Sequence, residues 1–467
     1  MSGVVDSDAA GRKANRRTLF IVLGAAGAFV LLLIGLILSA VDLSYKHFDY
    51  SKAAKRYRDA GLPWTAADLN PKALPAEKNG FVKLTKILAD YKESAKQKPP
   101  TIKDLLTPSD YSIVREYLAE RNGFLNQMQS LSQMEYVWDK DWDQGAILLL
   151  PEFADIKNLV KDLVLRAEYR AAQRDVDGAA ADLRAASGLT NGVSTGPTIV
   201  NGLVHIACRS IIFRGLQKSA SFHLQDAVAL RKLQASVSKL ETPPDLYYHM
   251  HGEAYLGLAS LRNFNWQMLS TSSFEAMEAP SPKRIVRQGD VSGIAARSFA
   301  VPYFEVWTKV AEEVKSKGNS PQQMMETAAL MDEIGESKGG VSGTFVRIMF
   351  PVFSQAGQAY AKTEADYLTA KWGLEAAINR AEGKTTAAAS LPSDPFGSGP
   401  LKLKVDRSRL LVWSVGINRT DDGGLSLDEA RSRYQKGVPQ RLTGSDEPKQ
   451  SEVDLVFELP YRRHTRP

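Results

Sequence analysis

An ordered series of acidic turns near the C-terminus is where the residue types of this chain best suit chemistry. Asp394-Pro395-Phe396-Gly397 is followed by Trp413-Ser414-Val415-Gly416-Ile417-Asn418, then Asp421-Asp422-Gly423-Gly424, then Asp454-Leu455. Carboxylates and an amide carbonyl on turns between strands can bring several oxygens onto one hard cation, the shell that Ca2+ takes. Asp, Asn and Gly are equally what tight turns require, because Gly tolerates positive φ and Asx side chains bond nearby backbone. The residues alone leave both readings open.

Three other groups invite chemistry and fail on spacing. Asp139-x-Asp141-x-Asp143 resembles a calcium loop, but the required Gly and Glu positions hold Gln144 and Leu150. Trp138 and Trp142 suggest instead a loop pinned by aromatic packing. His249-Met250-His251-Gly252-Glu253 lacks the i, i+4 histidine pair of a zinc-protease helix. A helix starting after Pro243-Pro244 fits better, with Glu253 facing water or capping a neighbour. Cys208 is the single cysteine, which excludes an intrachain disulfide, and its apolar surroundings suit a buried inert thiol.

The sequence carries no glycine-rich phosphate loop, Gly-x-Ser-x-Gly elbow or Cys/His zinc pattern. A non-catalytic protein is the expectation. Paired-carboxylate hydrolases leave no short signature, so a hydrolase of an envelope polymer is the alternative. Lys and Arg exceed Asp and Glu by 59 − 53 = 6, spread along the chain, which is a solvated surface and not a nucleic-acid footprint.

The acidic turns must be positioned by strands. Leu401, Leu403 and Val405, then Leu411, Trp413 and Val415, then Val453, Leu455, Phe457 and Leu459 alternate with period two between turn residues, the mark of half-buried antiparallel strands. Tyr367, Lys371, Leu374 and Ile378 mark one face of a helix before them, with Gly383 as its stop. From about residue 80 to 381 the pattern is mainly helical, broken at Pro99-Pro100, Pro197, Pro243-Pro244 and Pro280-Ser281-Pro282. Residues 159–186 read as a helical hairpin turning at Asp175-Val176-Asp177-Gly178, like a single tetratricopeptide-type unit. No second unit follows at that period, so an irregular helical domain is expected over a repeat array.

At the other end, residues 18–41 run for 24 positions without an ionisable side chain, and 15 of them are Leu, Ile, Phe or Val. As a helix this run spans ~36 Å, enough to cross a bilayer. Its length and the Leu38-Ser39-Ala40 exit do not suit a cleaved signal peptide, so an uncleaved anchor is expected. Arg16 and Arg17 abut the run, whereas Asp42 is the first charge beyond it. Residues 1–17 are therefore read as cytoplasmic and the long remainder as extracytoplasmic. The expected plan is mainly α: anchor 18–41, linker 42–79, helical ectodomain 80–355, a C-terminal helix with a small antiparallel α+β module over 356–460, and a basic tail 461–467.

The acidic series and the helix before it resemble the C-terminal module of the major pseudopilins of type II secretion. They resemble still more closely uncharacterised membrane-anchored bacterial proteins that carry Asp-Pro-Phe-x-Gly-x-Pro-Leu and Ser-Val-Gly-x-(Asp/Asn)-x-x-Asp-Asp-Gly-Gly after a long helical region. The close motifs cover Asp394 to Phe457; 159–186 is more diffusely similar. The resemblance implies a pilin-like module, a place in the bacterial inner membrane and envelope, protein partners there, and Ca2+ on Asn418, Asp421, Asp422 and Asp454. It also raises a role in a secretion machine. Two departures weigh against polymerisation: no leader cut precedes a helix with Glu at its fifth position, and some 320 residues separate run and module.

Overall fold

The computed structural model describes residues 49–69, 74–94, 100, 106–263, 291, 294–315, 320–336, 353–406, 408–435, 449 and 452–460. The expected anchor at 18–41 and the basic tail at 461–467 lie outside them.

Residues 49–59 form the first described helix, α1. Tyr50, Ala53, Ala54 and Tyr57 recur at helical spacing and all are buried. The rings of Tyr50 and Tyr57 pack on Phe304 at 5.8 and 4.8 Å, and Tyr57 Oη donates to the Ala254 carbonyl at 3.1 Å. This corrects the expected linker over 42–79: from residue 49 the chain belongs to the core. The apolar stripe here is built from Tyr and Ala inside a Lys- and Arg-rich segment, so composition concealed it.

Helices α2 (Gly80–Ser94), α3 (Tyr111–Ala119) and α4 (Asn122–Leu131) lead to the hairpin of α5 (Glu152–Ala172) and α6 (Val176–Ser194). Alanines 167, 171, 179, 180, 185 and 186 are all buried, so small side chains let these two helices close on each other. The turn lies two residues earlier than the sequence suggested: Arg174 takes φ 67°, and Asp175 caps α6 by accepting from Gly178 N at 2.9 Å. Buried Asp182 ties the pair, receiving Arg166 Nε at 3.0 Å, Arg166 Nη2 at 2.6 Å and Arg170 Nη1 at 2.9 Å.

Helix α7 (Ile199–Ser221) is the one described helix long and apolar enough to cross a bilayer. It packs against α5, α6, α8 (Ala227–Ser236), α9 (Leu246–Arg262) and the C-terminal sheet, and holds His205 and Arg209 buried within it. Those contacts make it a core helix. Helices α10 (Ile294–Lys315), α11 (Pro321–Glu336) and α12 (Phe353–Ala381) complete the body. Gly383, at φ +73°, ends α12 as its sequence position suggested.

Strands β1 (Lys402–Val405), β2 (Arg409–Ser414) and β3 (Leu455–Pro460) form an antiparallel sheet in the order β1-β2-β3. Leu410, Val412 and Ser414 pair with Leu459, Phe457 and Leu455. That face lies on α12: a Cβ on Gly373 would meet Phe457 at 2.4 Å. The opposite face of β2, with Leu411 and Trp413, is also buried, where half-burial was expected. The Asp421–Gly424 turn lies against Trp413, and helix α13 (Leu427–Gln435) follows it with Ala430 buried. Helix α13 is absent from the plan expected above, although Ser426-x-x-Glu429 marks its start; Ser426 Oγ accepts from Glu429 N at 3.3 Å. The protein is thus mainly helical, with one small antiparallel sheet packed on α12 and α7.

Candidate functional site: the acidic turns of the C-terminal sheet

The Asp394 loop, the turns after β2 and the start of β3 meet at one end of the sheet, and two buried carboxylates hold them there. Asp394 accepts from Phe396 N at 2.9 Å, Ser414 Oγ at 2.6 Å and Val415 N at 2.8 Å. It therefore fastens the Asp394-Pro395-Phe396-Gly397 loop to the end of β2. Asp454, with no exposed surface, accepts from Gly424 N at 2.8 Å and from Asp422 N and Leu425 N at 3.3 Å. It gathers the whole Asp-Asp-Gly-Gly turn onto the start of β3.

The glycines follow from this closeness. Gly423 and Gly424 take φ +75° and +79°, and a Cβ on Gly424 would sit 3.4 Å from the Trp413 ring. The turn lies flat on that indole, and Trp413 Nε1 donates to Asp421 Oδ1 at 3.0 Å. Gly423 N donates to the same oxygen at 3.0 Å, and Asn418 Nδ2 to Asp422 Oδ2 at 3.1 Å.

All four residues expected to bind a metal, Asn418, Asp421, Asp422 and Asp454, are therefore brought to one turn. Their oxygens are the right chemistry for a hard cation. Their present hydrogen bonds make a main-chain clamp: among the described residues no group of three or more His, Cys, Asp or Glu side chains is set to hold a metal ion. Asp421 Oδ2 and Asp422 Oδ1 have no protein donor among the described residues. Burial pushes the Asp454 carboxyl up to about 6, its main-chain donors oppose this, and the Asp422 and Asp421 charges add to it. A proton relieves that repulsion, and a cation would do the same. Asp394 stands in its motif, but nothing in a spacing says that its carboxylate would accept from Ser414.

The remaining clusters are structural in their geometry. His249, fully buried, faces Tyr360 Oη at 2.8 Å and the Ser194 carbonyl at 3.1 Å, and burial lowers its pKa to about 4. His251 packs against the Tyr247 ring at a tilt, with centroids 4.2 Å apart. Glu253 accepts from Ile199 N at 2.9 Å and so caps α7, while Asp245 caps α9 itself. Trp138 is pinned between Phe81 and Phe153, with Nε1 on the Gly192 carbonyl at 3.1 Å. Cys208 is buried, and desolvation raises its thiol to about 12.

The described fold defines a helical protein that ends in a small sheet with two carboxylate-clamped turns. Compared with protein-family models, curated proteins and solved structures, the chain matches none of them.

Proposed function

We propose that this protein is a single-pass component of the bacterial cell envelope that works by binding other proteins. In this reading residues 18–41 lie in the cytoplasmic membrane, 1–17 face the cytoplasm, and the helical body stands outside. The spacing between the uncharged run and the core carries the reading. Val41 ends the run, residue 49 is already helical, and Tyr50 is already buried. A body rooted that directly behind an apolar run of this length suits a protein built to stay at the bilayer.

The C-terminal sheet is the proposed docking module. A helix, an antiparallel sheet and a Gly-Gly turn clamped by an Asp support its likeness to the pseudopilin end module, and with it the second reading, a secretion-machine subunit. Washing membranes with high salt and carbonate should leave the full-length protein in the pellet. Protease added to spheroplasts should then remove a C-terminal tag. A freely soluble product would overturn the anchor, and a protected tag would reverse the orientation.

The same reading keeps Ca2+ as the ion for Asn418, Asp421, Asp422 and Asp454. A carboxyl raised from 3.8 to about 6 stabilises the fold below its unfolded value, and that contribution is lost as pH rises through 6. In chelator, the C-terminal module should therefore melt lower at about pH 7.5 than at about pH 5. Millimolar Ca2+ should restore it at the higher pH and do little at the lower one, where Asp454 carries a proton. Identical melting with Ca2+ and with chelator at the higher pH would remove the metal from this account.

A further inference from the structure

Helices α5 and α7 line an open cavity of about 310 Å3, within the size range of small-molecule sites. Each helix turns one row of side chains to it: Lys161, Leu165 and Glu168 from α5, and Ile211, Arg214 and Lys218 from α7. Both rows follow the helical spacing of three and four residues, so each is a single face of its helix. Gly215 lets the two helices close on each other, since a Cβ there would overlap Val164. The middle of the cavity is apolar: Leu165 and Ile211 pack on the core and remain only partly covered.

The charges around it do not balance. Lys161, Arg214 and Lys218 line the cavity, and Glu168 is the one carboxylate among its lining residues. Lys218 Nζ lies 3.5 Å from Glu168 Oε2, and both side chains are largely withdrawn from solvent. Burial pushes the Glu168 carboxyl up to about 7, against the pull of Lys218 and Arg214. Lys161 makes no ion pair among the described residues. Arg214 faces Asp428 at 3.8 Å, with the two side chains 71 and 78 % exposed, a pair that contributes little in water. An anion entering the cavity therefore meets two cations that no buried group neutralises. A cation would meet only a carboxylate that Lys218 already holds.

We propose that this cavity binds a small organic anion, an oxyanion head on an apolar body, such as a monocarboxylate or a phosphate monoester. The head lies between Lys161 and Arg214, and the body lies along Leu165 and Ile211. Glu168 repels the head, so the Lys218 end of the cavity is left to that pair. The site shares no residue with the acidic turns and does not depend on the membrane reading.

Calorimetric titration of the full-length protein tests it, in phosphatidylcholine nanodiscs or, if the chain stays out of them, in plain buffer. The probes are hexanoate, benzoate and hexyl phosphate. Acetate and inorganic phosphate stand for the head alone, hexanol for the body alone and hexylamine for the reversed charge. At least one organic anion should bind, with each of these controls about tenfold weaker or worse. Lys161→Met and Arg214→Met should each weaken that binding about fivefold or more. Both positions are at least partly exposed, so neither change should disturb folding. Glu168→Gln keeps an acceptor for Lys218 and removes the opposing charge, so it should tighten binding about threefold or more. A head alone binding as tightly as its organic counterpart would overturn the proposal, and so would hexylamine binding as tightly as hexanoate. Heat from no probe, or binding that neither methionine variant changes, would do the same.

Discussion

Asp182→Ala should destabilise the helical body by about 3–5 kcal/mol, the loss seen when one partner of a buried ion pair is removed. Asp182 is fully buried and is the shared acceptor for Arg166, Arg170 and Gln129 Nε2, the last at 3.0 Å. Without it the Arg166 guanidinium keeps, among the described residues, only Asn122 and Asn126, at 3.2 and 2.8 Å, and its charge stays enclosed. Arg170 is partly exposed and can turn to water, so most of the loss belongs to Arg166. The double variant Arg166→Met with Asp182→Leu should recover much of the stability, because apolar pairs of similar volume replace buried ion pairs at little net loss. Urea unfolding followed by far-ultraviolet circular dichroism measures both. A wild-type midpoint for Asp182→Ala would mean that the guanidinium reaches solvent in the folded protein.

Asp394→Ala should loosen the C-terminal module while leaving the helical body folded. The change strands three buried donors, Phe396 N, Ser414 Oγ and Val415 N, at about 1–3 kcal/mol each. A sheet of three short strands has little reserve against a loss of that size. Hydrogen exchange should accelerate at the amides of β2 and β3 and stay unchanged in α5 and α6. Asp394→Asn, which retains an acceptor oxygen, should fall between. Native protection of β2 and β3 in the alanine variant would show that the clamp is dispensable.

Much of this arrangement was legible in the residues, and the failures have physical causes. Alternating apolar positions placed all three strands, because a period of two has few other uses. The Pro243-Pro244 break placed the start of α9, and Glu253 took the capping role open to it, on α7. Those are local signals. What escaped is long-range. Residues 49–59 read as linker because a stripe of Tyr and Ala becomes a core face only once Phe304 is brought to it. The assignment of a cation to Asn418, Asp421, Asp422 and Asp454 comes from the resemblance, and no spacing along the chain shows which main-chain N–H groups reach the Asp454 carboxylate. A cavity of about 250 Å3 is lined by Trp64, Asp143, Tyr255 and Arg262 from distant stretches, and no pattern along the chain connects them.

The depth of Tyr50 in the core has a mechanical consequence. Between Val41 and residue 49 lie seven residues, which fully extended reach roughly 25 Å at ~3.3–3.6 Å each. If residues 18–41 lie in the bilayer as proposed, the folded mass is on a leash shorter than its own helix α12, which at ~1.5 Å per residue is roughly 43 Å long. On that placement it would not sweep the compartment for distant targets. Partners fixed in the same sheet of lipid would meet it by lateral diffusion at a high effective concentration, so that weak contacts would suffice to hold an assembly together.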